Sequence, residues 1–382
     1  MKKSNLICGT VMIACMLTLG GCQKSPDVSE NGEILHAQSS LENQIESIVD
    51  MNLGSGTSGE YYEGIIGTEE NGIRINASIP KLPETVYQFS QIQSSLLQKD
   101  DLILLIGSQS DSVQDITEDY LDEVKAFTNS QSMDDFNFGS TSFGDGTVIK
   151  LTNHEQEALL NGTSVQYADI ALKAKCQSIY NTGKETLITP DNIDNEEFSA
   201  GIAKQMLMDK LQTIGITEIN IYEIICYEGS DILFYQINFT PSYDGISVAH
   251  VFGQTNVGDV FPMGTAWISK DGVAAFFLDF FCGDITEKKE IDKILDFTQL
   301  ETVLNKYLEE NILQGSTQVE MSEIAFEYYP VYKETKLEYT PVWHIYIPMN
   351  QWIETEFEKV SNKEAAWNIY VNAVTGELEK VE

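Results

Sequence analysis

Arginine is almost missing from this chain. Among 382 residues it occurs once, as Arg74, while Asp and Glu together number 59 and the formal charge is −36. One guanidinium cannot build a phosphate clamp, and the charge repels polyanions, so nucleic acid is excluded as a partner. The same charge opposes lying flat on an anionic lipid surface. It suits a solvated face that keeps the protein soluble, and it attracts cations or a basic protein.

Further absences narrow the chemistry. Histidine occurs only as His36, His154, His250 and His344. There is no Cys-x-x-Cys and no Cys/His ligand spacing, which excludes the common structural zinc sites. His154-Glu155 begins like a zinc-protease helix, but Ala158 stands where the second histidine belongs. No Gly-x-Ser-x-Gly is present, since Gly139-Ser140-Thr141-Ser142 lacks the second glycine. No glycine-rich nucleotide loop occurs. Acidic pairs such as Asp134-Asp135, Glu196-Glu197 and Glu309-Glu310 are the residue type glycosidases use. In so acidic a chain they read as solvated helix faces and caps. His250 and His344 fall in strand-like runs, where a histidine is more often satisfied structure than a ligand. The sequence therefore predicts no catalytic residue, no metal and no cofactor.

Long apolar runs are also scarce. Residues 6–19 form one, preceded by Lys2 and Lys3 and too short for a comfortable membrane span. It ends Leu19-Gly20-Gly21-Cys22, which resembles a bacterial lipoprotein signal with its lipobox. That resemblance implies cleavage between Gly21 and Cys22, a diacylglyceryl thioether and palmitate-type acylation on Cys22, and a membrane anchor outside the cytoplasm. Loss of the leader removes two lysines and no acid, leaving the remainder more acidic. Residues 22–38 are polar and read as a flexible tether. Within them Asp27-x-Ser29-x-Asn31-Gly32 partly matches a calcium loop, but its twelfth position is Gln38 rather than Glu.

Of six cysteines, Cys8 and Cys15 leave with the leader and Cys22 is the lipid site. Cys176, Cys226 and Cys282 remain, an odd number, so at most one pair can close. Cys226 and Cys282 end apolar runs and read as buried small hydrophobes. The rival reading is a Cys226–Cys282 disulfide across neighbouring strands.

Apolar periodicity places the remaining elements. Ser39, Glu42, Ile45 and Ile48 predict a short helix. Residues 61–67 and 73–79 flank Asn71-Gly72, a hairpin signal. Residues 102–106 read as a buried strand, and Val113, Ile116, Tyr120, Val124 and Phe127 as a helix face. Residues 129–147 read as a loop, and Ala168, Leu172, Cys176 and Ile179 as a helix. Asp194 and Glu197 predict the cap of a helix running to Ile214, with Gly215 as terminator. Strands follow at 219–227, 232–239 and 246–251. Trp267 and residues 273–281 flank Lys270-Asp271-Gly272, another hairpin. A helix follows from Leu300 to Leu308. The last strands contain Ile324, Trp343 and Trp367. Each C-terminal stretch thus runs helix, then strands, then a Trp-led hairpin, which reads as a duplicated α+β unit.

The closing segment Trp367-Asn368-Ile369-Tyr370-Val371-Asn372-Ala373-Val374-Thr375-Gly376-Glu377-Leu378 resembles the last hairpin of PepSY-type extracytoplasmic domains, with Asn372 in place of the usual Asp. Pro341-Val342-Trp343-His344-Ile345-Tyr346 is similar to the preceding strand of related exported regulators. The resemblance implies a regulatory or inhibitory module without catalytic residues. Ile75-Asn76-Ala77-x-Ile79-Pro80 and the Phe239-Thr240…Asp244-Gly245-Ile246 pair resemble an uncharacterised family of Gram-positive lipoproteins, which implies an exported location.

The expected fold is α+β, with antiparallel sheets covered by amphipathic helices and two PepSY- or cystatin-like units at the C-terminal end. The expected division is 1–21 signal, 22–38 tether, 39–185 N-terminal domain, and helix-plus-sheet units at 186–295 and 296–382. Phe136 and Phe138, in a polar loop, are the aromatics best placed to contact a glycan or peptide, although strand aromatics elsewhere usually fill the core. The expected function is binding of another envelope protein by a lipid-anchored, non-catalytic regulator. Capture of a solute or glycan comes second, and a carboxylate-based hydrolase third.

Overall fold

The computed structural model describes residues 61–67, 72–95, 97–107, 112–130, 147–187, 198–229, 232–250, 262–279, 281, 283–311, 318–321, 323–333, 336–348 and 366–381. The signal, Cys22, the helix expected near residue 39, the calcium-like stretch, Phe136, Phe138 and Cys282 lie outside these residues.

The described strands are β1 Tyr61–Gly67, β2 Gly72–Ser78, β3 Tyr87–Ser95, β4 Gln114–Asp115, β5 Val148–Thr152, β6 Gln156–Asn161, β7 Ser164–Asp169, β8 Lys184–Leu187, β9 Ile219–Glu228 and β10 Leu233–Tyr243. They continue with β11 Ile246–Ser247, β12 Met263–Ser269, β13 Gly272–Asp279, β14 Gly283–Glu290, β15 Gln318–Met321, β16 Glu323–Lys333, β17 Lys336–Pro348, β18 Ala366–Asn372 and β19 Leu378–Val381. The helices are α1 Lys99–Leu105, α2 Thr117–Ser130, α3 Ile170–Tyr180, α4 Ala200–Gln212 and α5 Phe297–Asn311. The fold is α+β.

A ten-stranded antiparallel sheet runs β4-β5-β6-β7-β13-β12-β10-β9-β8, with β11 on β10. Strand alternation sends Tyr235, Ile237 and Phe239 of β10 to one face, where Ala200, Ala203, Leu207 and Leu211 of α4 and Leu102 and Leu105 of α1 cover them. Phe234 points to the other face and packs with Trp267, Leu172 and Cys176 beneath α3. A second sheet runs β14-β3-β17-β18-β19, with β16 on the other side of β17. Leu300 and Leu304 of α5 cover one face of it, against Trp343, Ile345, Ile369 and Val371. A small sheet β1-β2-β15 completes the fold, held to α5 by a Tyr62 Oη to Glu301 Oε1 hydrogen bond of 2.8 Å.

Where local chemistry dictates structure, expectation and structure agree. β1 and β2 pair antiparallel from Tyr61↔Ser78 to Gly67↔Gly72, the hairpin expected there. Asp244 and Gly245 have φ of 53° and 77°, the two positive values a tight hairpin turn requires. Gly215, at φ 80°, ends α4. Asn372 Oδ1 accepts from the Val374 and Thr375 amides at 2.8 and 2.9 Å, so an amide oxygen serves the C-terminal turn as well as a carboxylate would.

Several expectations are corrected. The run 102–106 is not a strand: residues 102–105 belong to helix α1 and Ile106 is its C-cap. Asp100 and Asp101 sit in its first turn, Asp101 accepts from the Gln98 amide at 2.7 Å, and Leu102 and Leu105 share its buried side. α4 is capped by Ser199, whose Oγ accepts from the Ile202 amide at 3.2 Å, and not by Asp194. The charged strand β14, Gly283–Glu290, was not among the expected elements, and of the strand expected at 246–251 the described part is strand at Ile246–Ser247. The meander β5-β6-β7 was not among the expected elements.

The expected domain boundaries do not follow the sheets. Strands β5–β7, from before residue 186, share a sheet with β8–β13, while β14 and β3 pair with the C-terminal strands. What does recur is wiring. α4 is followed by the meander β9-β10-β12-β13 and α5 by the meander β16-β17-β18-β19, with Trp267 and Trp367 both on the third strand. Cys226 lies on β9, and Cys282, its partner in the alternative disulfide reading, lies outside the described residues.

One close approach is sensitive to substitution. Gly264 lies opposite Phe239, and a Cβ there would come within 2.4 Å of the Phe239 ring. Both residues sit in the middle of the sheet, so the ring has little room to yield. Gly264→Ala is expected to cost about 1–2 kcal/mol in a urea titration; an unchanged midpoint would show that the ring moves freely.

Candidate functional site

The second sheet has a face turned away from α5. Glu327 on β16, His344 on β17, and Asn368 and Tyr370 on β18 share that face by strand alternation. The register places Ala325 opposite His344 and His344 opposite Tyr370. His344 Nδ1 is 2.8 Å from Glu327 Oε2, and Nε2 is 2.8 Å from Asn368 Oδ1. Glu327 and Asn368 are buried, at 9% and 2% exposure, so water offers little competition. The imidazole stacks on Tyr370 with centroids 4.4 Å apart.

Two protonation patterns satisfy this array. An imidazolium donates from both nitrogens to Glu327 and to the Asn368 carbonyl oxygen. A neutral ring donates to Glu327 while the Asn368 amide turns to present its NH₂. In both patterns Nδ1 and Nε2 are occupied. A general base needs one nitrogen directed at a nucleophile or substrate. Here Glu327 and Asn368 hold His344 as a clamp across three adjacent strands.

The same face meets the larger sheet through the segment after β11. Ala249 N donates to Tyr328 O at 2.9 Å, and Tyr370 Oη reaches the His250 carbonyl at 3.4 Å. His250 stacks on Tyr222 of β9 at 3.6 Å between centroids. Burial lowers its proton affinity to about 3, and the neighbouring His344 adds to the shift. Tyr222 is pushed far above the ordinary phenol range by burial, with Glu223 contributing.

Glu223 opens a second polar row across the large sheet. Asn238 Nδ2 donates to Glu223 Oε2 at 2.5 Å, and Thr265 Oγ1 to Asn238 Oδ1 at 2.9 Å. Trp267 Nε1 donates to Gln236 Oε1 at 3.3 Å. The register puts Gln236 opposite Trp267 and Asn238 opposite both Glu223 and Thr265, so the row is a cross-strand ladder. It is a second buried network whose groups serve one another.

The chain shares its fold with an uncharacterised protein. That protein comes from Eubacterium rectale ATCC 33656; the two align at a TM-score of 0.51 and 14% identity, over 89% of this chain and 99% of the other. YycH from Bacillus subtilis aligns at a TM-score of 0.34 and 13% identity, over 80% of this chain and 59% of YycH, too loose a match to support a statement about this one. No protein-family model and no curated protein matches the sequence.

Of the expected site residues, Cys226 is the one that lies among the described residues. Cys22, Gly21, Phe136, Phe138 and Cys282 lie outside the described residues. Cys226 lies on β9 between Thr186 of β8 and Tyr235 of β10. The Cys176 thiol is buried, which pushes its pKa up to about 12 and leaves it unreactive near neutrality. His344 does what a strand histidine was expected to do. Glu327, Asn368 and Tyr222 were not singled out. The one signal was His344 itself, a polar residue inside the apolar run Val342-Trp343-His344-Ile345.

Proposed function

We propose that this chain is a lipid-anchored, extracytoplasmic protein that acts by binding another envelope protein and not by catalysis. The occupied state of His344 supports the non-catalytic part of the reading. A carboxylate beside a histidine is the arrangement a hydrolase would use, yet both nitrogens here are held by structural partners on adjacent strands. The acidic composition supports a partner with a basic face.

The edges of the sheets differ in how they meet a partner. The β14 edge carries Asp284, Glu287, Lys288, Lys289 and Glu290, the charge pattern that discourages strand addition. β8, the terminal strand of the large sheet among the described residues, has Leu187 at 49% exposure. Leu187 is the large apolar side chain that a partner approaching β8 would meet. Solute capture has less support, because the cavity beside α4 opens widely to solvent and does not lie between the sheets.

The test is a photo-crosslinking residue placed at Leu187 in intact cells, with the exposed Leu104 on α1 as control. A discrete membrane-protein adduct from position 187 and none from 104 is expected. No adduct at 187, or the same adducts at both positions, would overturn the assignment.

A further inference from the structure

We draw no further inference here: the strongest candidate, the ring cluster of Tyr222, His250, Tyr370 and His344 at the joint between the two sheets, belongs to the site already described, where the polar groups serve one another.

Discussion

Glu327→Ala is expected to lower stability by about 3 kcal/mol, and the loss should appear first as faster amide exchange in β16, β17 and β18. The substitution leaves His344 on a largely buried sheet face with nothing at Nδ1. Removing one member of a buried pair commonly costs about 3–5 kcal/mol, because the remaining group keeps its desolvation penalty without its partner. The lower end applies here, since the two side chains retain 13% and 12% exposure. Glu327→Gln keeps a hydrogen-bond acceptor and removes the charge, so it should cost less. A double substitution, Glu327→Leu with His344→Phe, should recover part of the loss, because two apolar groups leave nothing unsatisfied. If Glu327→Ala changes the urea midpoint by less than its error, the clamp contributes nothing and the face is held by packing alone.

The second large effect is on the acid side. His250 takes up a proton near pH 3 in the folded chain and near its ordinary value of 6.5 when unfolded. Between those values the unfolded state binds the extra proton, so stability falls as pH drops through that window and is insensitive to His250 above it. The groups facing His250 are Tyr222 on β9 with Glu223 beside it, Tyr370 on β18 and His344 on β17. The full shift would correspond to over 4 kcal/mol, but the ring keeps some contact with solvent, so about 2–3 kcal/mol is expected between pH 7 and 3. His250→Phe preserves a ring to stack on Tyr222 and should flatten this part of the pH profile. A parent protein whose stability is level from pH 6.5 to 4, or a variant with an unchanged slope, would contradict the assignment.

These two expectations concern groups the sequence hardly advertises, and the reason is geometric. Turns are local chemistry. Asp244-Gly245 and Gly215 announce themselves because few residues tolerate positive φ, and the structure follows them. Helix α5 was legible from the spacing of Leu300 and Leu304; its capping box, in which Asp296 and Gln299 exchange hydrogen bonds at 2.9 and 3.1 Å, was not among the expected features. The run 102–106 was misread because five apolar residues fit either a strand or a helix, and only burial of Leu102 and Leu105 on one side decides. β5–β7 are short, and each alternates over only a few residues.

Sheet membership is harder still. Nothing in residues 148–169 says that β7 will pair with β13, more than a hundred positions away. The same distance effect hid the candidate site. Glu327 and Asn368 lie 17 and 24 residues from His344 and meet it only after β16, β17 and β18 adopt one register. Glu327 looked like the outward member of an alternating strand whose inward members are Ile324, Phe326 and Tyr328. It is buried because the segment after β11 covers the opposite face as well, a tertiary fact with no local trace.

Under the proposed function, lipid on the Cys22 sulfur holds this protein outside the cytoplasm. Metabolic labelling with a palmitate analogue tests that most directly. The parent chain should take up label in the membrane fraction, and Cys22→Ala should abolish the label and release the protein. Undiminished labelling of Cys22→Ala, or an unlabelled parent that stays inside the cell, would contradict it.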